Sequence, residues 1–291
     1  MAFQRHETLW LRLFSEKTKQ SGYGTLALKQ GAAPEKKLLK DARFSGLRKA
    51  RQADQVIWRM GNYQHYPELW TSTLGITESR RLSTTNPQQE NYRWGTVEKV
   101  SWTSLDGELT EGLLYKPENY DPQRKYPMLV YFYERKAHGL HRHYIPSPSR
   151  SIITPAYYNS NGYFVFMPDI HYTVGYPGRS AYNYVVGGTA HIVDNYPMID
   201  KDRIGLQGQS WGGYQVAHIV TQTDWYAAAM AGAPVSNMIS AYGGIRWGSG
   251  LSRMFQYEQT QSRLGEHLWD GFLKYVENSP LYHAESINTP L

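Results

Sequence analysis

The sequence predicts an α/β protein with β material in front. Short strands and turns occupy residues 1–92, and a mostly parallel, helix-covered sheet occupies residues 93–291. Three observations carry this reading. Up to about Tyr92, short apolar runs recur at roughly ten-residue spacing between turn residues, which suggests an all-β sandwich, barrel or propeller blade. After Tyr92, continuous apolar runs alternate with helical stretches, the pattern of a sheet covered by helices. Within that second part, Gly208-Gln-Ser-Trp-Gly-Gly-Tyr214 lies between an apolar stretch, Arg203 to Leu206, and a helix-like run, Gln215 to Thr223.

The expected strands of the first part are Tyr23–Lys29, Lys37–Lys40, Gln55–Met60, Glu68–Thr73 and Arg80–Thr84, the last closed by Asn86-Pro87. These are too few to close a propeller, which takes four or more blades of four strands. Alone they leave open edges. The second part opens with a hairpin, Val97–Ser104 and Glu108–Tyr115, around the turn pair Asp106-Gly107. Pro127–Tyr133 and Gly162–Pro168 are the apolar runs of buried strands. Ala181–Tyr196 reads as a helix despite Gly187-Gly188, and Tyr226–Gly232 as a further strand. Helical stretches are expected over Leu251–Ser262 and Leu268–Asn278, the latter ended by Ser279-Pro280. Ile287–Leu291 looks like the approach to another strand.

A serine at the tip of a strand–turn–helix, flanked as G-x-S-x-G, is the arrangement of the α/β-hydrolase nucleophile elbow. The bare pattern arises by chance in roughly one chain in ten of this length, so the flanking strand and helix carry the assignment. Glycines two residues either side let strand and helix approach closely around a strained serine. The Trp211 N–H then points at a developing oxyanion.

At 291 residues, with 41% hydrophobic and 14% aromatic content, the chain can bury a sizeable core. No apolar run is long enough to span a membrane, and Met1–His6 lacks the basic-then-apolar layout of a signal peptide. Zero cysteines exclude disulfides and thiolate chemistry but leave the compartment open between cytoplasm and periplasm. The net charge of +6 is uneven. Residues 1–92 hold 15 Lys and Arg against 8 Asp and Glu, and the remainder 16 against 17. The basic excess includes Lys36, Lys37, Lys40, Arg43, Arg48, Lys49 and Arg51 along short strands, which reads as a solvated sheet face rather than a phosphate-binding patch. His138, His141 and His143 share a short segment, but with Glu134 as the one nearby carboxylate and no helical spacing a polar loop is a simpler reading than a metal site.

A serine hydroxyl needs a base and a group that orients the base. On this fold their chain order is Ser, acid, His. Downstream of Ser210 the aspartates are Asp224 and Asp270, and the histidines His218, His267 and His283. Asp224 and His218 lie on or just past the elbow helix. Asp270 with His283 satisfies the order, but neither follows a strand. The acid and histidine are therefore expected beyond Leu291, in a chain that ends before the fold does.

Asp202-Arg-Ile-Gly-Leu-Gln-Gly-Gln-Ser-Trp-Gly-Gly-Tyr214 resembles the prolyl oligopeptidase family of serine peptidases, in particular its dipeptidyl-peptidase and acylaminoacyl-peptidase branches. Further matches follow the family's order: Pro67–Trp70, Arg81–Pro87, Val100–Gly107, Lys125-Tyr-Pro127, Ala233–Ser236 and Ser279-Pro280. The resemblance implies that residues 1–92 are the last blades of a β-propeller and residues 93–291 an α/β-hydrolase domain lacking its C-terminal end. It implies Ser210 as nucleophile, the Trp211 N–H as one oxyanion donor and the Tyr133 hydroxyl as the second. Val235 matches a wall of the proline-sized specificity pocket. Met238 and Ala241, beside Tyr242, stand where dipeptidyl peptidases carry aromatics, so strict post-proline specificity is not implied; Tyr214 matches the family's elbow tyrosine. The family's small residues after the tyrosine are replaced here by Glu134-Arg135-Lys136.

Three functions are open at this stage: a serine peptidase of short peptides, an esterase or deacylase using the same serine, and a catalytically inert fragment. No cofactor and no metal are expected. The expected partner is a peptide substrate, not nucleic acid or membrane, and homo-oligomer formation is left open.

Overall fold

The computed structural model describes residues 8–149 and 151–291, which form two compact units. Residues 8–96 with 138–145 make the first, and the rest make the second.

The first unit contains two antiparallel meanders. One runs β1 (Thr8–Phe14), β2 (Ser21–Ala27), β3 (Glu35–Lys40), and the other β4 (Arg43–Lys49), β5 (Val56–Gly61), β6 (Glu68–Ser72), β7 (Arg80–Arg81). Such up-and-down sheets are the units from which propeller blades are built. In β5 Val56 and Trp58 are buried while Ile57 and Arg59 are exposed, the period-2 signature of a half-buried strand. Phe44 and Trp58 pack edge-on to Tyr23, with centroids 5.5 and 6.4 Å away. Sequence reading missed β1 and β4. β4 is interrupted by a register shift between Ser45 and Arg48, where Gly46 takes φ +66°, and this breaks its alternation. Lys36, Lys37, Lys40, Arg48 and Lys49 lie on β3 and β4, strands that are mostly exposed or half-buried. The 138–145 loop, expected to continue the second part, packs with the first unit instead. His143 explains why: its ring stacks on Trp94 at 5.0 Å and its Nδ1 lies 3.0 Å from the Tyr63 carbonyl.

The second unit is built on a six-stranded sheet. Its strands are β8 (Thr96–Thr103), β9 (Leu109–Lys116), β10 (Tyr126–Tyr131), β11 (Phe164–Pro168), β12 (Ile199–Gln209) and β13 (Ala228–Gly232), in the order β13-β12-β10-β11-β9-β8. β9 and β11 pair antiparallel, while β11, β10, β12 and β13 run parallel. This is α/β-hydrolase topology, as the sequence led one to expect. Two short strands, β14 (Ile245–Arg246) and β15 (Leu251–Ser252), pair separately. The helices are α1 (Pro155–Ser160), α2 (Pro177–Asn195), α3 (Trp211–Ile219), α4 (Met238–Tyr242), α5 (Met254–Glu258) and α6 (Phe272–Glu277). Among the described residues none of them is long and apolar enough to cross a membrane.

Val130, Phe164, Phe166, Ile204 and Leu206 from the parallel strands, with Phe132 just past β10, pack against Ala181, Tyr184, Val185 and Ile192 of α2 and Val216 and Ile219 of α3. Each of the valine, leucine, isoleucine and phenylalanine side chains contributes about 1.5–3 kcal/mol by leaving water. Pro177 begins α2, where its missing N–H costs nothing. Gly187 and Gly188, which weaken the helix signal, sit inside it because a Cβ on Gly188 would lie 2.8 Å from the Trp102 ring and 3.0 Å from Phe166. At β13's other side, the Ala229 N–H donates to the Pro290 carbonyl at 2.8 Å, so the approach to a strand read at Ile287–Leu291 does run beside the sheet.

His218 on α3 is buried, and its Nδ1 has no hydrogen-bond partner among the described residues. Burial, with a smaller contribution from His283, lowers its pKa to about 4. The unfolded chain binds this proton near the ordinary value of about 6.5, so between those two pH values it holds more protons than the folded chain. Folding stability should therefore drop by roughly 3 kcal/mol as pH falls from about 6.5 to 4. Urea unfolding at stepped pH checks this, and His218→Phe should flatten that part of the profile. Parallel losses in both proteins would assign the acid sensitivity elsewhere.

Candidate active site

Ser210 follows β12 and holds the N-cap position of α3 without a side-chain capping bond, with φ 60° and ψ −113°, and it is exposed. That backbone region is sparsely populated for any residue with a Cβ and costs on the order of 1–3 kcal/mol. Its neighbours hold it there. The Ser210 N–H donates to the Gly232 carbonyl at the end of β13 (2.8 Å), and the Ser210 carbonyl accepts from the Tyr214 N–H (2.9 Å). The glycines around it are required by close approach. A Cβ on Gly208 would fall 2.3 Å from the Gly212 carbonyl group, and one on Gly213 would fall 2.4 Å from the Gly232 oxygen. β12, α3 and β13 thus meet through backbone alone, and the serine is pushed outward. Trp211 begins α3, so its N–H is among those a helix start leaves without an intrahelical acceptor.

Tyr133 lies just past the end of β10. Its hydroxyl accepts a hydrogen bond from Gln261 Nε2 at 2.7 Å. A phenol that accepts one bond retains its own proton to donate. The segment holding it is fixed from two sides. The Tyr172 hydroxyl donates to the Tyr133 carbonyl (3.3 Å) and itself accepts from the Trp211 indole N–H (3.1 Å) and from Gln215 Nε2. The Asp169 carboxylate, following β11, accepts the backbone N–H groups of Lys136 and Ala137, the latter at 2.8 Å. Burial raises the Asp169 pKa and these two donors oppose the rise. The charged replacement Glu134-Arg135-Lys136 is accommodated in part by an ion pair, Arg263 to Glu134 at 3.1 Å, with the Arg263 guanidinium 4.5 Å above the Tyr172 ring.

Trp211, Tyr214, Met238 and Tyr242 are buried together with Tyr257, Leu264 and Tyr275, and Tyr133 and Val235 pack on the same cluster half-exposed. Of the residues expected to touch substrate, Tyr214, Met238 and Tyr242 are buried within this cluster, and Val235 packs on it partly exposed. Tyr214 stacks on Trp211 at 4.5 Å, and its hydroxyl reaches Asn278 Oδ1 at 3.3 Å. The Tyr242 hydroxyl is bound to Glu258. The Ser279-Pro280 motif explains itself here, since Ser279 Oγ accepts the Met238 N–H (2.8 Å) and donates to the Tyr275 carbonyl (2.6 Å). Gln261, Tyr172, Asp169 and Asn278 escaped the sequence reading because each acts through a partner more than 30 residues away.

Among the described residues no side chain hydrogen-bonds the Ser210 hydroxyl. His267 Nε2 and Asp270 pair with each other at 3.1 Å on an exposed surface, so Asp270 is not oriented toward His283.

Comparisons with known proteins follow the same lines. Residues 151–291 match the model of the prolyl oligopeptidase family. The uncharacterized peptidase YuxL of Bacillus subtilis is 25% identical over 229 residues, which cover 77% of this chain and 34% of that protein. Human dipeptidyl peptidase 8 is 28% identical over 156 residues, covering 48% of this chain and 17% of its own. The chain thus spans about a third or less of the lengths of these relatives. In fold, the acylaminoacyl peptidase of Pyrococcus horikoshii superposes with a TM-score of 0.73 at 17% identity, covering 98% of this chain and 43% of that one. A prolyl endopeptidase structure superposes with a TM-score of 0.65 at 16% identity. Over residues 151–291, elbow and helix included, the chain is similar to the prolyl oligopeptidase family.

Proposed function

We propose that the protein is a serine peptidase acting on short peptides through an acyl-enzyme at Ser210. The observation that carries this reading is the exposed serine held at φ 60° between two backbone-on-backbone contacts. In the proposed mechanism Ser210 Oγ attacks the scissile carbonyl while its proton passes to a histidine. The oxyanion is met by the Trp211 N–H and the Tyr133 hydroxyl. Collapse expels the amine, which takes the proton, and water then repeats the attack on the ester. Val235 walls the side-chain pocket, with Tyr214, Met238 and Tyr242 shaping it from behind. The names of the relatives, peptidases and dipeptidyl peptidases, support peptides over simple esters as substrates.

The proposed histidine lies outside the described residues, among which no side chain hydrogen-bonds the Ser210 hydroxyl. The 291-residue chain alone is accordingly expected not to turn over peptide p-nitroanilides, whereas the whole protein should. Turnover by the chain alone that vanishes on His283→Ala would identify His283 as the base and overturn this part of the proposal.

Tyr133→Phe keeps the ring and removes the proton. It should lower kcat by roughly 10²–10³ with little change in KM, because the hydroxyl acts on charge that develops after binding. Steady-state kinetics on one peptide anilide checks this; an unchanged kcat would remove Tyr133 from the oxyanion site.

A further inference from the structure

The first unit contains a cavity of about 380 Å³ whose polar walls are mostly cationic. Arg12 comes from β1, Lys19 from the β1–β2 connection, Arg43 from the start of β4, and His138, His141 and Arg142 from the 138–145 loop. Among the described residues no carboxylate lines it. The nearest acids are Glu16, 3.7 Å from Lys19 Nζ, and Asp41, 3.5 Å from His141 Nε2, and both are largely exposed to water. Arg12, Arg43 and Arg142 have no carboxylate ion pair among the described residues; Arg142 instead lies 4.7 Å over the Tyr144 ring. The charges feel each other. The Arg43 pKa is lowered, first by burial and then by repulsion from Arg142 and Arg12. His141 adds a buried Nε2 with no hydrogen-bond partner.

Arg12, Arg43 and Arg142, drawn together from three separate segments with no carboxylate ion pair among the described residues, store repulsion that a bound anion relieves. Guanidinium forks match tetrahedral oxyanions in geometry as well as charge. We propose that this cavity binds a small multivalent oxyanion, a phosphate group held by Arg12, Arg43 and Arg142 with His141 as a further donor. Arg43 is exposed like its lysine neighbours, but unlike them it lines this cavity. The cleft is open, with Arg12, Arg43 and Arg142 all exposed, and its volume of about 380 Å³ leaves room for a phosphate carried on a small organic group.

Thermal unfolding of the protein in inorganic phosphate, against chloride at matched ionic strength, tests the proposal. Phosphate well above its Kd should raise the midpoint by about 2–4 °C. Arg43→Gln combined with Arg142→Gln should abolish that rise, and in chloride the variant should be at least as stable as the parent, because two mutually repelling charges are gone. Phenylglyoxal labelling mapped by peptide mass gives a readout on the unsubstituted protein, with phosphate shielding Arg43 and Arg142 and chloride not. Glycerol 2-phosphate matching the phosphate effect assigns the occupant as a phosphomonoester, and its failure alongside a positive phosphate result assigns the free ion. Equal midpoints and equal labelling in phosphate and chloride, or a response to citrate with none to phosphate, would overturn the proposal.

Discussion

Ser210→Ala is expected to lower kcat by about four to six orders of magnitude on any peptide substrate, with KM nearly unchanged. The reason is geometric. In the proposed mechanism the Ser210 hydroxyl forms the acyl intermediate, and the Trp211 N–H and Tyr133 hydroxyl would stabilise charge without being able to replace it. Because Ser210 is exposed and its backbone conformation is imposed by neighbouring strands, alanine should leave the fold intact. The experiment pairs steady-state kinetics of the whole protein with labelling by a fluorophosphonate, which should modify the parent at Ser210 and leave the variant untouched. A variant retaining more than about a hundredth of the parent's kcat would remove Ser210 from the role of nucleophile.

Gly208→Ala should destabilise the protein by about 3 kcal/mol or more and abolish activity as the elbow opens. The added methyl would sit 2.3 Å from the Gly212 carbonyl carbon and oxygen, which are backbone atoms that cannot rotate away. Overpacking of a tight site typically costs 1–3 kcal/mol even where side chains can adjust, so this value lies at or beyond the upper end. Gly243→Ala provides the control: that position has φ −77° and nothing within 4 Å, so the change should be within about 1 kcal/mol of neutral. Urea denaturation of the two variants measures both. Equal stabilities would mean that strand and helix are not in fact pressed together at the elbow.

The parts of the fold that were legible in the sequence are those whose signal is local. Val130 and Leu206 lie in apolar runs that announce buried parallel strands, Asp106-Gly107 announces the hairpin, and the glycines around Ser210 announce the sharp turn. β1 and β4 were missed for physical reasons. β4 carries a bulge at Gly46 that destroys its alternation, and β1 is exposed or half-buried along its length, so neither contrasts with a loop. The site was legible only in part. Ser210, Trp211 and Tyr133 are proposed from motif and strand end, whereas the burial of Tyr214, Met238 and Tyr242 depends on how α3, α4 and α6 pack, which no local pattern states.

What the sequence determined by itself is the elbow: a short stretch in which every glycine answers to a backbone contact within the same strand–turn–helix or its neighbouring strand. What only the tertiary structure decided is which distant groups meet. Asp169 reaches back to the Lys136 and Ala137 amides, Gln261 reaches Tyr133, the 138–145 loop joins the first unit, and Arg12, Arg43 and Arg142 share one cavity. The physical reason is common to all of them. Local backbone geometry is written in a few adjacent residues, whereas a hydrogen bond or a charge cluster between remote segments exists only after the apolar core has fixed where those segments run.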